Sequence, residues 1–262
     1  DVTNAEVAAS LGADILLLNI FDVENPIIQG LPDVKPEERV RELKRLTGRM
    51  FGINLEPVER GYEGEDPDNM WKMSPGRMAT LENAVKACEM GVDMVLLTGN
   101  PGNGVSNQAI TDTLKTLKCE LGDKLILAAG KMHASGILSE AGEHIITEKD
   151  GEEFIGAGAD IVLFPAPGTV PGITMEYIRS LAAVAHSHNV LTMTSIGTSQ
   201  EGADAETIRQ IALMCKMAGT DIHHLGDSGY TGIAIPENIT AYSKVIRGAR
   251  HTYRRMAFSV NR

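Results

Sequence analysis

The strongest pattern in the chain is a Gly-X-Asp triplet that stands between an amphipathic segment and a short apolar run. It occurs four times, at 12–14, 91–93, 158–160 and 219–221, with the glycines 79, 67 and 61 residues apart. Glycine tolerates the left-handed backbone that ends a helix, and a continuous apolar run is typical of a strand buried on both faces of a parallel sheet. The triplet therefore predicts a helix-to-strand junction, and its recurrence predicts an internal repeat.

Strands and helices are predicted to alternate along the whole chain. The predicted strands are 15–20, 50–56, 94–99, 124–130, 161–166, 190–195 and 222–227. Helical periodicity lies between and after them, at about 36–46, 75–89, 106–121, 148–157, 174–188, 204–217 and 236–249. This alternation favours an α/β fold, the (β/α)8 TIM barrel, as a single domain over residues 1–262. An open, doubly wound sheet is the alternative.

The first predicted element is a helix, because Thr3 and Glu6 have the spacing of a capping box. A barrel of this class begins with a strand. We therefore expect the first strand to lie upstream of the given sequence, so that the seven predicted strands are the second to the eighth.

The composition suits such a barrel and restricts its partners. Apolar residues make up 43% of the chain and aromatic residues only 4%, which fits a large aliphatic core. The net charge of −11 disfavours nucleic acid and anionic membranes as partners. Residues 238–262 alone carry +6, which leaves −17 on the rest. We expect a basic C-terminal helix and tail that lies against the acidic body or docks on a neighbouring subunit of a homo-oligomer.

The three cysteines, Cys88, Cys119 and Cys215, fall in helical patterns and show neither metal-ligand spacing nor a CxxC motif. Such cysteines are typical of reduced thiols in a cytoplasmic protein. No signal peptide and no apolar run near the ~20 residues of a membrane span is recognisable, so we expect a cytoplasmic protein.

Side-chain alternation predicts which residues reach the site of the barrel, at the carboxyl ends of its strands. The predicted inward-facing set comprises Asn19, Asn54, Glu56, Thr98, Asn100, Lys131, His133 and His224. Lys131 enters this set because it shares the parity of Ala129 and His133. His223, one residue before His224, is expected to face the helices. A polar set of this kind suits a small-molecule site, with Asn19, Asn54, Thr98, Asn100 and His224 as substrate-binding residues.

Three members of the set are candidate catalytic residues, each with an alternative reading. Glu56 is a general base, a metal ligand or a salt-bridged loop residue. Lys131 forms a Schiff base, binds an anion or pairs with Glu56, and His133 is an acid/base, a metal ligand or a structural histidine. Asp22 and Asp227 lie near strand ends and could join Glu56 and His133 around a divalent metal; the sequence leaves any other cofactor unknown.

Two loops rich in Gly and Ser follow the last two predicted strands, at 195–202 and 226–232. Many barrels bind phosphate between these loops, because glycines let backbone N–H groups approach an anion. The predicted phosphate-binding residues are Gly197, Thr198, Ser199, Gly226, Ser228 and Gly229. Tight turns are the alternative, and Glu201 and Asp227 disfavour an anion unless they point away. Lys131 is the candidate cation.

Motifs along nearly the whole chain carry a resemblance to a known family. They include GINLEPV, LTGNPG, GKMH, GTVPG, IGTSQEGAD and IHHLGDSGYTGIAIPENI. The chain resembles a family of uncharacterised bacterial TIM-barrel proteins, many of which are labelled haloacid-dehalogenase-like hydrolases. The resemblance implies the barrel fold and a further strand at the start. Phosphatases of that label need an Asp-x-Asp pair directly after an apolar strand, whereas Asp66-Pro67-Asp68 lies in a polar loop. We therefore do not expect their activity here.

Three functional hypotheses follow from the sequence. The first is an enzyme that acts on a small phosphorylated, anionic metabolite, as a lyase, isomerase or hydrolase. The second is a metal-dependent hydrolase, and the third is a barrel that binds a metabolite without turnover. The substrate itself is not determined by any motif.

Overall fold

Seven parallel strands form one sheet in the computed structural model, which describes residues 1–59, 61–62, 73–132, 139, 141–226 and 232–260. The strands are β1 Ile15–Leu18, β2 Met50–Leu55, β3 Met94–Leu97, β4 Ile126–Gly130, β5 Ile161–Pro165, β6 Leu191–Ser195 and β7 Ile222–His224. Each strand pairs in parallel with the next one along the chain, so the sheet order is the chain order.

Helices separate the strands. They are α1 Asn4–Ser10, α2 Arg39–Thr47, α3 Leu81–Met90, α4 Asn107–Leu121, α5 Glu148–Gly156, α6 Met175–Ser187, α7 Ala205–Ala218 and α8 Pro236–Met256. The capping box of Thr3 and Glu6 is present at the start of α1. No helix among the described residues is long and apolar enough to cross a membrane.

The helix predicted at 75–89 begins later than expected. Only a 3-10 turn, Pro75–Arg77, forms at its start, and α3 begins after Thr80. The chain between them is extended because Met78 makes a parallel bridge to Glu56, the residue that follows β2. Thr80 then caps α3 by accepting a hydrogen bond from the backbone N–H of Asn83 at 3.1 Å.

Apolar side chains pack on both faces of the sheet, which is the arrangement of a (β/α)8 barrel. One cluster fills the barrel interior and contains Met94, Leu96, Ala128, Ile161, Leu163 and Met193. A larger cluster lies between the sheet and the helices and includes Phe51, Ile53, Leu55, Val95, Leu97, Leu127 and Ala129. The fold class predicted from the sequence is confirmed.

The repeated triplet has a common structural role at all four positions. Its glycines, Gly12, Gly91, Gly158 and Gly219, lie at helix ends with φ of 101°, 91°, 103° and 88°. These values place them in the left-handed region that glycine adopts at little cost.

At three of the four triplets, the aspartate binds the preceding strand and the helix that comes before that strand. Asp93 accepts a hydrogen bond from the backbone N–H of Phe51 at 2.9 Å and pairs with Lys44 of α2 at 2.7 Å. Asp160 accepts from the N–H of Leu127 at 2.9 Å and pairs with Lys118 of α4 at 3.1 Å. The carboxylate thus connects two neighbouring strands and the helix that precedes the earlier of them, at the amino end of the sheet.

Asp221 repeats the arrangement with a histidine, whereas Asp14 pairs with two arginines. Asp221 accepts from the backbone N–H of Thr192 at 2.8 Å and lies 2.8 Å from Nε2 of His186, on α6. Asp14, before β1, pairs with Arg247 and Arg255 of α8, each at 2.6 Å. Helix α8 supplies the cations that pair with Asp14, just as α2 supplies Lys44 to Asp93. These ion pairs hold α8 against the start of β1.

We expect Asp93→Ala to lower the free energy of unfolding by about 1–3 kcal/mol, because it leaves the N–H of buried Phe51 without its acceptor and Lys44 without its carboxylate. Urea unfolding followed by circular dichroism measures the change.

The matched control is Glu153→Ala, which removes an exposed i,i+4 pair between Glu153 and Lys149 on α5. This variant should unfold within about 0.5 kcal/mol of the wild type. Equal losses in the two variants would show that the aspartates of the triplets have no special role.

Candidate functional site

Asn19 and Asn54 meet at the carboxyl ends of β1 and β2. Nδ2 of Asn54 donates a hydrogen bond to Oδ1 of Asn19 at 3.0 Å. The sequence placed both residues in the inward-facing set, and the structure brings them together. Oδ1 of Asn54 is buried and accepts no hydrogen bond within the described part of the chain. A buried acceptor of this kind is costly unless a ligand or water supplies a donor.

Glu56 is engaged by an arginine that the sequence analysis did not single out. The guanidinium of Arg77 forms an ion pair with the Glu56 carboxylate, and both side chains are largely buried. The backbone N–H of Glu56 also donates to the carbonyl of Arg77 at 2.9 Å. This arrangement corresponds to the third interpretation of Glu56, a salt-bridged loop residue. Arg77 follows no strand, so strand parity carried no signal for it.

Asp22 stabilises the turn after β1. Its Oδ1 accepts hydrogen bonds from the backbone N–H groups of Glu24 at 2.8 Å and Asn25 at 3.1 Å. Burial would raise the pKa of Asp22, but a hydrogen bond from Ser74, the two backbone amides and the charge of Arg77 outweigh it and lower the pKa. One of its two oxygens is thus already saturated by the backbone.

Lys131 is fully buried directly after β4, with a relative exposure of 0%. The parity argument for it was wrong. Leu127 and Ala129 pack in the layer between the sheet and the helices, whereas Ala128 and Met132 belong to the barrel interior. Lys131 therefore does not continue an inward-facing series.

Ser195 and His224 form a pair at the carboxyl ends of β6 and β7. They are register partners on adjacent strands, and Oγ of Ser195 lies 2.6 Å from Nδ1 of His224. Oγ also lies 3.6 Å from Sδ of Met132, which packs in the barrel interior. The sequence predicted the inward position of His224 but did not assign a role to Ser195, because a serine at the end of an apolar strand carries no distinguishing pattern.

His223 faces the helices, as its parity predicted. Its Nδ1 lies 3.0 Å from the hydroxyl oxygen of Tyr242 on α8, and the two rings are in contact. Burial lowers the pKa of His223 to about 4, against a smaller opposing effect of Asp221. The two adjacent histidines are therefore separated by the sheet, and only His224 belongs to the site.

Thr98 and Asn100 follow β3. Thr98 is buried, on the parity of the interior residues Met94 and Leu96. Asn100 turns back on its own loop, where its Oδ1 accepts a hydrogen bond from the backbone N–H of Gly102 at 3.0 Å. Its amide therefore shapes the loop 100–104.

A carboxylate of the first loop predicted to bind phosphate, Glu201, lies against Gly226 of the second. Gly197 is buried before the 3-10 turn Thr198–Gly202, which contains the predicted Thr198 and Ser199. A Cβ added to Gly226 would lie 2.7 Å from Oε1 of Glu201. Glu201 thus does not point away from the loops, so an anion at Gly226 would meet its negative charge.

Several predicted residues lie outside the described part of the chain. They are His133, Asp227, Ser228 and Gly229. Among the described residues, no group of three His, Cys, Asp or Glu side chains could hold a metal ion. Of the four candidate metal ligands, the two that are described are bound by other groups, Glu56 by Arg77 and Asp22 by backbone amides.

One family model matches the chain over residues 1–262, under the description "Domain of unknown function (DUF7916)". This description fits the expected membership of an uncharacterised family and assigns no activity. No curated protein matches the chain.

Solved barrel structures are similar to the chain at low identity. An archaeal fructose-1,6-bisphosphate aldolase, whose catalytic Lys is covalently bound to the carbinolamine intermediate of the substrate, is 16% identical with a TM-score of 0.52, covering 93% of this chain and 99% of that one. A thiamine phosphate pyrophosphorylase from Pyrococcus furiosus is 14% identical with a TM-score of 0.50, covering 93% and 87%. At this identity the likeness shows the fold.

We expect His223, on the helix side of the sheet, to make the free energy of unfolding depend on pH. The folded state keeps His223 neutral down to about pH 4, whereas the unfolded chain protonates this residue near pH 6.5. Between these values the unfolded state binds more protons, so the free energy of unfolding falls as the pH is lowered, by about 3 kcal/mol from this group.

The measurement compares urea unfolding of the wild type and His223→Asn at pH 7, 5.5 and 4.5. Asparagine keeps an acceptor for the Tyr242 hydroxyl but does not titrate, so the advantage of the wild type should shrink as the pH falls. A difference that is independent of pH would contradict the depressed pKa.

Proposed function

This chain belongs to the DUF7916 family, and we propose that it is an enzyme that acts on a small, phosphorylated carbonyl metabolite at the carboxyl-terminal face of its barrel. The observation that carries the proposal is the complete burial of Lys131 at the end of β4. A lysine amine is a nucleophile towards carbonyl carbon and a cation towards phosphate, so either reaction or binding accounts for its position.

Asn54 supports a ligand at this face. Its buried Oδ1 accepts no hydrogen bond among the described residues, and it lies beside Asn19 at the ends of β1 and β2. A ligand hydroxyl is a donor of the required kind. Asn19 and Asn54 are thus the proposed substrate-binding pair, together with Thr98 after β3 and His224 at the end of β7.

The carboxylate of Glu201 restricts how a phosphate group could bind at these loops. The backbone N–H groups of the loops at 197–199 and 226–229 are the proposed donors, and Lys131 supplies positive charge. Glu201 opposes an anion at Gly226 unless its side chain is displaced when the ligand binds. The two similar structures are named for phosphorylated compounds, which supports a phosphorylated ligand.

The proposed covalent step is a Schiff base on Lys131. The amine adds to the carbonyl carbon to give a carbinolamine, and loss of water gives the protonated imine, which accepts electrons from a neighbouring carbon–carbon or carbon–hydrogen bond. Cleavage of the first bond makes the enzyme a lyase, and cleavage of the second makes it an isomerase. His133 is the proposed acid/base, and Glu56 holds Arg77 at the rim of the site. The homo-oligomer stays a prediction.

Borohydride trapping tests the proposal. We expect the protein, incubated with fructose 1,6-bisphosphate or dihydroxyacetone phosphate and then reduced, to gain one covalent adduct on Lys131, located by peptide mass spectrometry. Lys131→Met should abolish this adduct, because methionine fills a similar volume without an amine.

Lys124→Met is the matched control, because Lys124 is exposed near the opposite end of β4. This variant should be labelled like the wild type. Adducts confined to surface lysines, or equal labelling of Lys131→Met, would refute the Schiff base. Binding of these probes without any adduct or turnover would instead support a metabolite-binding barrel.

A further inference from the structure

An open groove of about 400 Å³ lies along the last part of α8. Gly248 interrupts this helix with φ of 77°, so residues 249–256 form a separate helical segment. The groove has the volume of a small-molecule site. It is lined by three arginines, a histidine and a phenylalanine, which are Arg247, Arg254, Arg255, His251 and Phe258.

Ion pairs place the groove at the amino ends of the strands. Arg247 and Arg255 both pair with Asp14, directly before β1, each at 2.6 Å. Buried Arg49, directly before β2, donates a hydrogen bond to the backbone carbonyl of Arg255 at 3.3 Å. The groove therefore lies at the opposite end of the barrel from Lys131, which follows the carboxyl end of β4.

Positive charge exceeds negative charge around the groove. Of the described carboxylates, only that of Asp14 forms an ion pair with the arginines that line it, so two of their three charges are not offset. Burial lowers the pKa of Arg49, and the charges of Arg255 and Arg247 lower it further, against the opposing effect of Asp14. The local charge thus favours an anion, although the chain as a whole is acidic.

Two of the lining arginines have donors that no described residue uses. Arg255 pairs with Asp14 through Nε, and its terminal nitrogens donate no hydrogen bond within the described ranges. The exposed side chain of Arg254 makes neither an ion pair nor a hydrogen bond in the same part of the chain. Phe258 adds an apolar surface, because it is 50% exposed and its ring centre lies 6.0 Å from Cζ of Arg255.

We propose that this groove binds an organic phosphate monoester, at a site separate from the one proposed at Lys131. Arg254 and the terminal nitrogens of Arg255 donate to the phosphate oxygens, because a guanidinium matches the geometry of phosphate. The ring of Phe258 packs against the organic part of the ligand. A phosphate monoester carries about −1.5 to −2 charges at neutral pH, which matches the two positive charges that Asp14 does not offset.

Isothermal titration calorimetry with phenyl phosphate and with inorganic phosphate tests the site. At low ionic strength we expect phenyl phosphate to bind more tightly than inorganic phosphate. Arg254→Gln should weaken the binding of phenyl phosphate about tenfold, because it removes one charged donor. Phe258→Ala should remove the advantage of phenyl phosphate over inorganic phosphate. Unchanged urea midpoints would show that each variant is folded.

Arg179→Gln is the matched control, because it removes an exposed arginine from α6. This variant and folded Lys131→Met should bind phenyl phosphate like the wild type. Binding that Arg254→Gln leaves unchanged, or that only Lys131→Met removes, would overturn the proposal, because the ligand would then be held elsewhere.

Size-exclusion chromatography at low and high salt distinguishes another occupant of the groove. A salt-sensitive dimer that Arg254→Gln dissociates, without any binding of phenyl phosphate, would identify the groove as a contact between two copies of this chain and would also overturn the proposal. Binding that depends on Arg254 together with failed borohydride trapping would keep the groove site and reject only the Schiff base on Lys131.

Discussion

A carboxylate that binds across two strands and a helix organises this barrel. At Asp93, Asp160 and Asp221, one side chain accepts a backbone N–H of the preceding strand and contacts a cation or histidine on the helix before it. The interaction is charge-assisted and partly buried, so it is stronger than an ordinary surface ion pair. Each aspartate fixes the start of its strand relative to its neighbour, and in a sheet with a period of two that decides which side chains face inward. Asp14 pairs with two arginines of α8 and so holds this helix against the start of β1.

The residues that stabilise the sheet and the residues proposed for chemistry lie at opposite ends of the strands. The aspartates lie at the amino ends of the strands, and the unusual polar contacts lie at the carboxyl ends. There, Asn54 retains a buried acceptor without a donor among the described residues, and Ser195 approaches His224 within 2.6 Å. Lys131 is completely buried at the same end. Such arrangements cost free energy in an empty site, and a fold anchored elsewhere can tolerate them.

Parity predicted some of the site and failed for the rest, for reasons that individual residues make clear. His223 and His224 were assigned to opposite faces correctly, because both lie within a regular strand. Lys131 was placed in the site by an argument that the structure contradicts, because Leu127 and Ala129, whose parity it shares, pack between the sheet and the helices. Arg77 was missed altogether. It reaches Glu56 from a 3-10 turn about twenty residues later in the chain, and no periodic pattern connects the two.

What the sequence by itself determined is local: the glycines that end helices, the apolar runs that enter strands, and hence the barrel. These features depend on the conformational range of one residue or on a periodicity over a few residues. Only the tertiary structure decided that Arg77 forms an ion pair with Glu56, that Glu201 lies against Gly226, and that Ser195 lies between His224 and Met132. Those contacts depend on the register of neighbouring strands and on the course of the loops after them, where residues distant in sequence are brought within hydrogen-bonding distance.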